Sequence, residues 1–159
     1  NNPMVKEARG IIFEEATMTP VCVPFFRFYN YGEASADEID WNSARVLEKV
    51  DGSMVKIWYH NGWHVSSNGL IDASEANTDG GKTIRELFEL AIKGYAWAFW
   101  ASLNKKNTYM FEVTSPFNTI VIPYLETELT HLGTRNTETL EEVEVRLPHV
   151  KYPKSYALN

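Results

Sequence analysis

Apolar positions in this chain recur mostly as short runs broken by turn residues, and one stretch carries a clear helical period. Arg9 to Glu14 ("RGIIFE") reads as a short buried strand, and Val21 to Tyr29 ("VCVPFFRFY") as an extended run in which Pro24, lacking a ladder N–H, marks an edge or a bulge. Arg45 to Lys49 and Ser53 to His60 read as strands on either side of Asp51-Gly52, which looks like an ordinary hairpin turn. Asn61-Gly62 is the stronger hairpin signal and returns the chain through Trp63 to Ser66. In "TIRELFELAIKGYAWAFW" the residues Ile84, Leu87, Phe88, Ala91, Ile92 and Tyr95 fall on one helical face. Strands are expected at Tyr109 to Val113, Thr119 to Tyr124 and about Glu128 to Leu132, before a polar tail. Several antiparallel β-strands with few helices predict an α+β fold.

Composition narrows the class. At 159 residues, 44% hydrophobic and 13% aromatic, the chain suits one globular domain over 1–159. The single Cys22 excludes an internal disulfide and multi-cysteine metal sites, and fits a reducing cytoplasm. No run approaches the roughly 18 apolar residues of a membrane span, and no signal peptide is visible. Because the first residue is Asn1, a processed or trimmed piece of a longer protein is expected. A net charge of −6 argues against a basic, sequence-blind nucleic-acid coat but leaves room for an enzyme with a local basic cleft. The glutamates at 126, 128, 138, 141, 142 and 144, with Arg135 among them, read as a solvated face.

The stretch "LEKVDGSMVKIWY" poses the chemical question, because Lys49 stands two positions before Asp51-Gly52. It is either a solvated turn lysine or a nucleophile presented to a phosphate. A lysine ammonium becomes nucleophilic when desolvation or nearby positive charge, such as a bound Mg²⁺, favours the free amine. Gly52 would let a nucleotide come close, since it has no Cβ. Asp51 and Glu48 offer acceptors on either side. Alone, so short a pattern can arise by chance.

Three further stretches agree with it. "LEKVDGS" resembles the nucleotidyl-transfer motif of ATP-dependent ligases and capping enzymes, in which the lysine becomes joined to a nucleoside monophosphate. "EARGIIFE", with Arg9-Gly10, "VPFFRFYNYGE", with Arg27, and "YMFEVTSPFNTIVIPY", with Glu112, are similar in order and spacing to segments of phage-type, tRNA-repair RNA ligases. The resemblance runs from about Glu7 to Arg135 and covers the N-terminal part of that family's adenylyltransferase domain. It implies a covalent nucleotidyltransferase fold, incomplete at its C-terminal end. It also implies Lys49 as the residue adenylated by ATP with Mg²⁺, followed by sealing of 5′-phosphate to 3′-hydroxyl RNA ends, tRNA among them, in the cytoplasm (the host's, for a phage enzyme). By the same resemblance Arg27 contacts the triphosphate, Glu112 the ribose, Glu48 adenine and Arg9 the nucleotide.

For several of these residues a structural role stays open: aromatic stacking for Arg27, an ion pair for Arg9, a strand-edge salt bridge for Glu48. Glu112, in an apolar strand, is costly to bury without a ribose or cation partner. The sequence departs from the family at Asn68-Gly69 and Thr119, where basic residues are common, and shows no acidic-Gly ("EGxV") or Lys-x-Lys motif; Lys151 and Lys154 have the wrong spacing. Rival expectations are a nucleotide-binding fragment without turnover, exposing sheet surface that invites self-association, and a DNA ligase or capping-type enzyme. His60, His64, His131 and His149 lack metal-ligand spacing and are expected at the surface or in turns. Trp97, Phe99 and Trp100 are expected in the core, as is Cys22.

Overall fold

In a computed structural model the structure is described for residues 3–157. Its centre is a four-stranded antiparallel sheet in the order β5-β4-β6-β7, formed by Ser53–Tyr59 (β4), Trp63–Ser67 (β5), Asn107–Thr114 (β6) and Glu128–Asn136 (β7). The β4–β5 hairpin turns at Asn61 and Gly62, both at positive φ (54° and 147°), the conformation that an Asn-Gly pair adopts cheaply. Alternation sends Val55, Ile57, Tyr109, Phe111 and Val113 to one face, where all are buried. Met54, Lys56, Met110 and Glu112 fall on the other, with Met54 opposite Glu112 and Lys56 opposite Met110.

Helix α2 (Ile84–Ile92) covers the first face with Ile84, Leu87, Phe88 and Ile92. Thr83 and Glu86 start it with a reciprocal capping box: the Thr83 hydroxyl accepts from the Glu86 N–H, and the Glu86 carboxylate accepts from the Thr83 N–H. The expected single helical run is broken. The Tyr95 N–H turns back to the Ile92 carbonyl just after Gly94, and a separate α3 (Ala96–Ser102) follows. This break aims Phe99 into the core and Trp100 against Trp63, but leaves Trp97 85% exposed, contrary to its expected place. Replacing a fully buried Phe such as Phe88 by Ala would cost about 3–5 kcal/mol.

Elsewhere the strands are shorter than the apolar runs. β1 (Ile12–Phe13) and β2 (Pro20–Cys22) form a small pair that stops short of Pro24. Past Cys22, the Val23 N–H donates to the Thr108 hydroxyl instead of to a ladder partner. β3 (Val46–Leu47) pairs with β8 (Ser155–Tyr156) and not with β4, so Asp51-Gly52 is no hairpin turn but a crossing between two sheets. Residues 119–124 form no strand, because Asp51 takes two of their N–H groups. β7 runs on to Asn136, with an irregularity opposite Met110 and Phe111. α1 (Pro3–Glu7) lies at the start.

Cys22 is buried as expected, and burial pushes its thiol up to about 12. His131 is the exception among the histidines: it is 5% exposed, bonded through Nε2 to the Thr134 hydroxyl, and burial holds it down at about 4. In the acidic stretch Glu126, Glu138, Glu141, Glu142 and Glu144 are exposed, while Glu128 is half-buried and paired with Lys151. Among the described residues no helix is long and apolar enough to cross a membrane.

Candidate active site

Residues 48–52 carry the chain from the β3–β8 pair to β4, and Lys49 is exposed on this crossing. The backbone on both sides of it is tied down. The Glu48 N–H donates to the Lys154 carbonyl at 2.8 Å, and the Glu48 carboxylate accepts the Lys154 N–H at 3.3 Å. The Asp51 N–H donates to the Tyr124 hydroxyl at 3.3 Å. Asp51 Oδ2 accepts the N–H groups of Val121 and Ile122 at 2.8 and 2.7 Å, and these bonds, Ile122's first, hold its carboxyl below the usual carboxylate range. Asp51 therefore works as a brace for the 119–124 loop.

Gly52 closes the crossing against β6. Its N–H donates to Glu112 Oε1 at 3.1 Å, and a Cβ here would collide with the Val113 carbonyl. The glycine is demanded by this close passage over a neighbouring strand, a different reason from the room for a nucleotide that the sequence suggests. Glu112 itself is half-buried, and burial pushes its carboxyl up against the opposing pull of the Gly52 N–H and the Lys49 charge. Lys49, Asp51, Gly52 and Glu112 thus form one cluster. Asn118, on the same loop, adds a bond from its amide to the Ser53 hydroxyl at 2.8 Å.

Arg9 and Arg27 lie apart, on the N-terminal segment. The Arg9 guanidinium sits over the Phe28 ring at 5.6 Å and Arg27 over Tyr29 at 5.1 Å. Both line an open cleft of about 880 Å³ together with Ala8, Phe28, Tyr29 and Asn30; Lys49 and Glu112 do not line it. Neither arginine has a carboxylate within ion-pair distance among the described residues.

Two buried cations pin this segment to the sheet: Lys56, which the sequence did not single out, and Arg135, expected on a solvated face but buried. Lys56, 2% exposed, donates from Nζ to the Gly10 carbonyl at 3.1 Å, and burial pushes its amine below the ordinary lysine range. Arg135, 3% exposed, holds both oxygens of Glu7 at 3.0 and 3.1 Å and the Pro24 carbonyl at 2.8 Å. Arg9 is therefore bracketed by anchors at Glu7 and Gly10. A lysine between Val55 and Ile57 was the available signal, since a charge inside an apolar strand must find a partner. Asn68, the neutral departure, is exposed, with its carbonyl close to Gly10.

The molecule is thus an α+β protein whose exposed lysine is set between a braced aspartate and a half-buried glutamate on an antiparallel sheet. The family described as RNA ligase matches residues 7–153, and the chain belongs to that family. It is 33% identical, over 98% of its length, to a protein of Autographa californica nuclear polyhedrosis virus whose name joins polynucleotide kinase and RNA ligase, and covers 25% of that protein. It is 30% identical to the RNA ligase of Rhodothermus phage RM378, with 72% of this chain and 33% of the relative covered. RNA ligase 1 of Bacteriophage TS2126 is 28% identical, with 98% and 40% covered. The chain spans a quarter to two fifths of the length of these relatives.

Proposed function

We propose that this chain is the lysine-bearing portion of an ATP-dependent RNA ligase with the covalent nucleotidyltransferase fold. The observation that carries this is the cluster itself: an exposed Lys49 on a loop braced by Asp51 and joined through Gly52 to Glu112, in a chain of the RNA ligase family. Lys49 Nζ, as the free amine, attacks the α-phosphorus of ATP. A P–N bond forms, the P–O bond to the β-phosphate breaks, pyrophosphate leaves and the displaced proton goes to solvent. A 5′-phosphate oxygen of RNA then attacks the same phosphorus and breaks the P–N bond. A 3′-hydroxyl finally attacks the 5′-phosphorus and releases AMP.

The protein's part is placement more than chemistry. Glu112 keeps Oε1 on the Gly52 N–H and offers Oε2 to a ribose hydroxyl. Arg9 and Arg27 offer guanidinium groups suited to phosphate oxygens. Among the described residues no three His, Cys, Asp or Glu side chains gather into a metal site. Bound Mg²⁺ would be carried by the phosphates and a few waters, where it neutralises charge. The bonds that tie up Glu48 with Lys154 favour a structural role for its carboxylate beside any contact with adenine.

A second reading concerns the 159 residues by themselves. They contain no acidic-Gly or Lys-x-Lys motif, and Lys151 is engaged by Glu128, so the chain alone would hold nucleotide without completing the cycle. Incubation with ATP, Mg²⁺ and matched RNA and DNA ends tests the acceptor. Sealing or adenylylation of the RNA ends alone supports an RNA ligase, and equal use of DNA contradicts it.

A further inference from the structure

The dipeptide Asn-Gly occurs at Asn61-Gly62 and again at Asn68-Gly69, and the fold treats the two differently. An asparagine followed by glycine carries its own intramolecular reaction. The next backbone nitrogen can close on the side-chain amide carbon, and glycine has no Cβ to hinder the approach. In a folded chain the reaction then depends on whether both groups are free to turn toward each other.

At Asn61-Gly62 they are held. The pair is the turn of the β4–β5 hairpin, closed by Tyr59 opposite Trp63. The His60 N–H donates to the Gly62 carbonyl at 2.9 Å. Asn61 stands at φ 54°, with its side-chain nitrogen 3.4 Å from His60 Nε2.

Asn68-Gly69 lies just past the end of β5, and both residues are exposed. The bend is fixed at its two ends: the Ser67 N–H donates to the Leu70 carbonyl and the Leu70 N–H to the Ser67 hydroxyl, each at 3.0 Å. Between those ends, neither the Asn68 side-chain amide nor the Gly69 N–H has a hydrogen-bond partner among the described residues. Nothing lies within 4 Å of the place a Gly69 Cβ would take. The 68–69 peptide can therefore rotate as a unit, by opposed changes in the torsions on either side of it, while the bonds between Ser67 and Leu70 stay made.

We propose that Asn68 is a site of spontaneous deamidation, with water as the co-reactant and isoaspartate and aspartate as the products. The Gly69 nitrogen gives up its proton and attacks Asn68 Cγ. A C–N bond forms, the bond from Cγ to the side-chain nitrogen breaks, and ammonia leaves with the proton that Gly69 gave up. Water then opens the cyclic imide. Opening at the backbone carbonyl leaves isoaspartate, and opening at the side-chain carbonyl leaves aspartate. One neutral amide becomes one carboxylate, so the formal charge of −6 falls by one. The Asn68 carbonyl lies beside Gly10, whose own carbonyl Lys56 holds, so the new charge arises next to the segment that carries Arg9. The site is apart from the lysine cluster and does not rest on the ligase reading.

The test is peptide mapping by mass spectrometry after this chain has stood in mildly alkaline buffer, folded and in urea. In the folded chain the Asn68 peptide should gain the mass that separates a carboxyl from an amide well ahead of the Asn61 peptide. An isoaspartyl methyltransferase with a labelled methyl donor should mark the same peptide. In urea the difference between the two sites should shrink, because it comes from the fold. Gly69→Ala should slow the reaction at Asn68 severalfold while leaving the urea midpoint unchanged, since the added methyl meets open space. A folded chain in which Asn68 stays intact, or reacts no faster than Asn61, would overturn the assignment, as would a rate at Asn68 that Gly69→Ala leaves unaltered.

Discussion

The Gly52 N–H donates to Glu112 Oε1 at 3.1 Å, which couples the loop bearing the candidate nucleophile to the strand bearing the candidate ribose contact. Asp51, one residue earlier, couples the same loop to residues 121 and 122. Lys49 thus stands on a crossing fixed from two directions, although its own side chain is exposed. An amine that must meet an α-phosphorus in line gains from a loop that does not wander.

Gly52→Ala is the sharpest structural test of that coupling. The added Cβ meets backbone, the Val113 carbonyl, which cannot swing aside. Overpacking of this kind costs about 1–3 kcal/mol. The urea midpoint should fall with little change in slope; an unaltered midpoint would show that the crossing is looser than described.

Asp51→Ala removes the acceptor for two N–H groups while leaving the packed core untouched. Hydrogen exchange at the Val121 and Ile122 amides should speed up selectively, with β4 and β6 amides keeping their protection. Unchanged exchange at both positions would remove Asp51 from its role as brace.

Much of this arrangement was legible in the sequence, and the misreadings share a cause. The β4–β5 hairpin, the face of α2 and the strand around Glu112 follow from local periodicity and turn chemistry. Asp51-Gly52 has the composition of a hairpin turn, but β3 takes β8, more than a hundred residues away, as its partner. "TIVIPY" has strand propensity, yet Asp51 supplies the acceptors that a strand neighbour would have supplied. His131 and Trp97 changed places with expectation because burial depends on which face a strand or a broken helix presents, and Gly94 reset that face for α3. Lys49, Asp51, Gly52 and Glu112 do come together; Arg9 and Arg27 join each other in a separate cleft.

Burial of His131 makes stability depend on pH. Its imidazolium is disfavoured in the folded state, with a pKa of about 4 against 6.5 for the free group. Above pH 6.5 both states are neutral and the full stability is present. As pH falls toward 4 the unfolded chain takes up a proton that the folded one resists, and about 3 kcal/mol is lost. Urea titrations of the parent and His131→Gln between pH 7 and 4 should converge as pH falls; parallel curves would contradict this.

Glu112 has the opposite dependence. Its folded carboxyl is raised, so its stabilising share is present below the ordinary Glu range and is lost as pH rises through the folded value. Glu112→Gln keeps an acceptor for the Gly52 N–H and removes the buried charge. At pH 7 this variant should be at least as stable as the parent while attaching less AMP, as expected where a site gives up stability for function. A clear loss of stability would show that the ionised carboxylate supports the fold.

The central claim concerns one covalent bond, and intact-mass spectrometry reads it directly. The purified chain and Lys49→Ala would be measured before and after ATP and Mg²⁺. A gain of one AMP by the parent, absent from Lys49→Ala, is the predicted result. A gain of the same mass by Lys49→Ala, or attachment mapped to another residue, would contradict it.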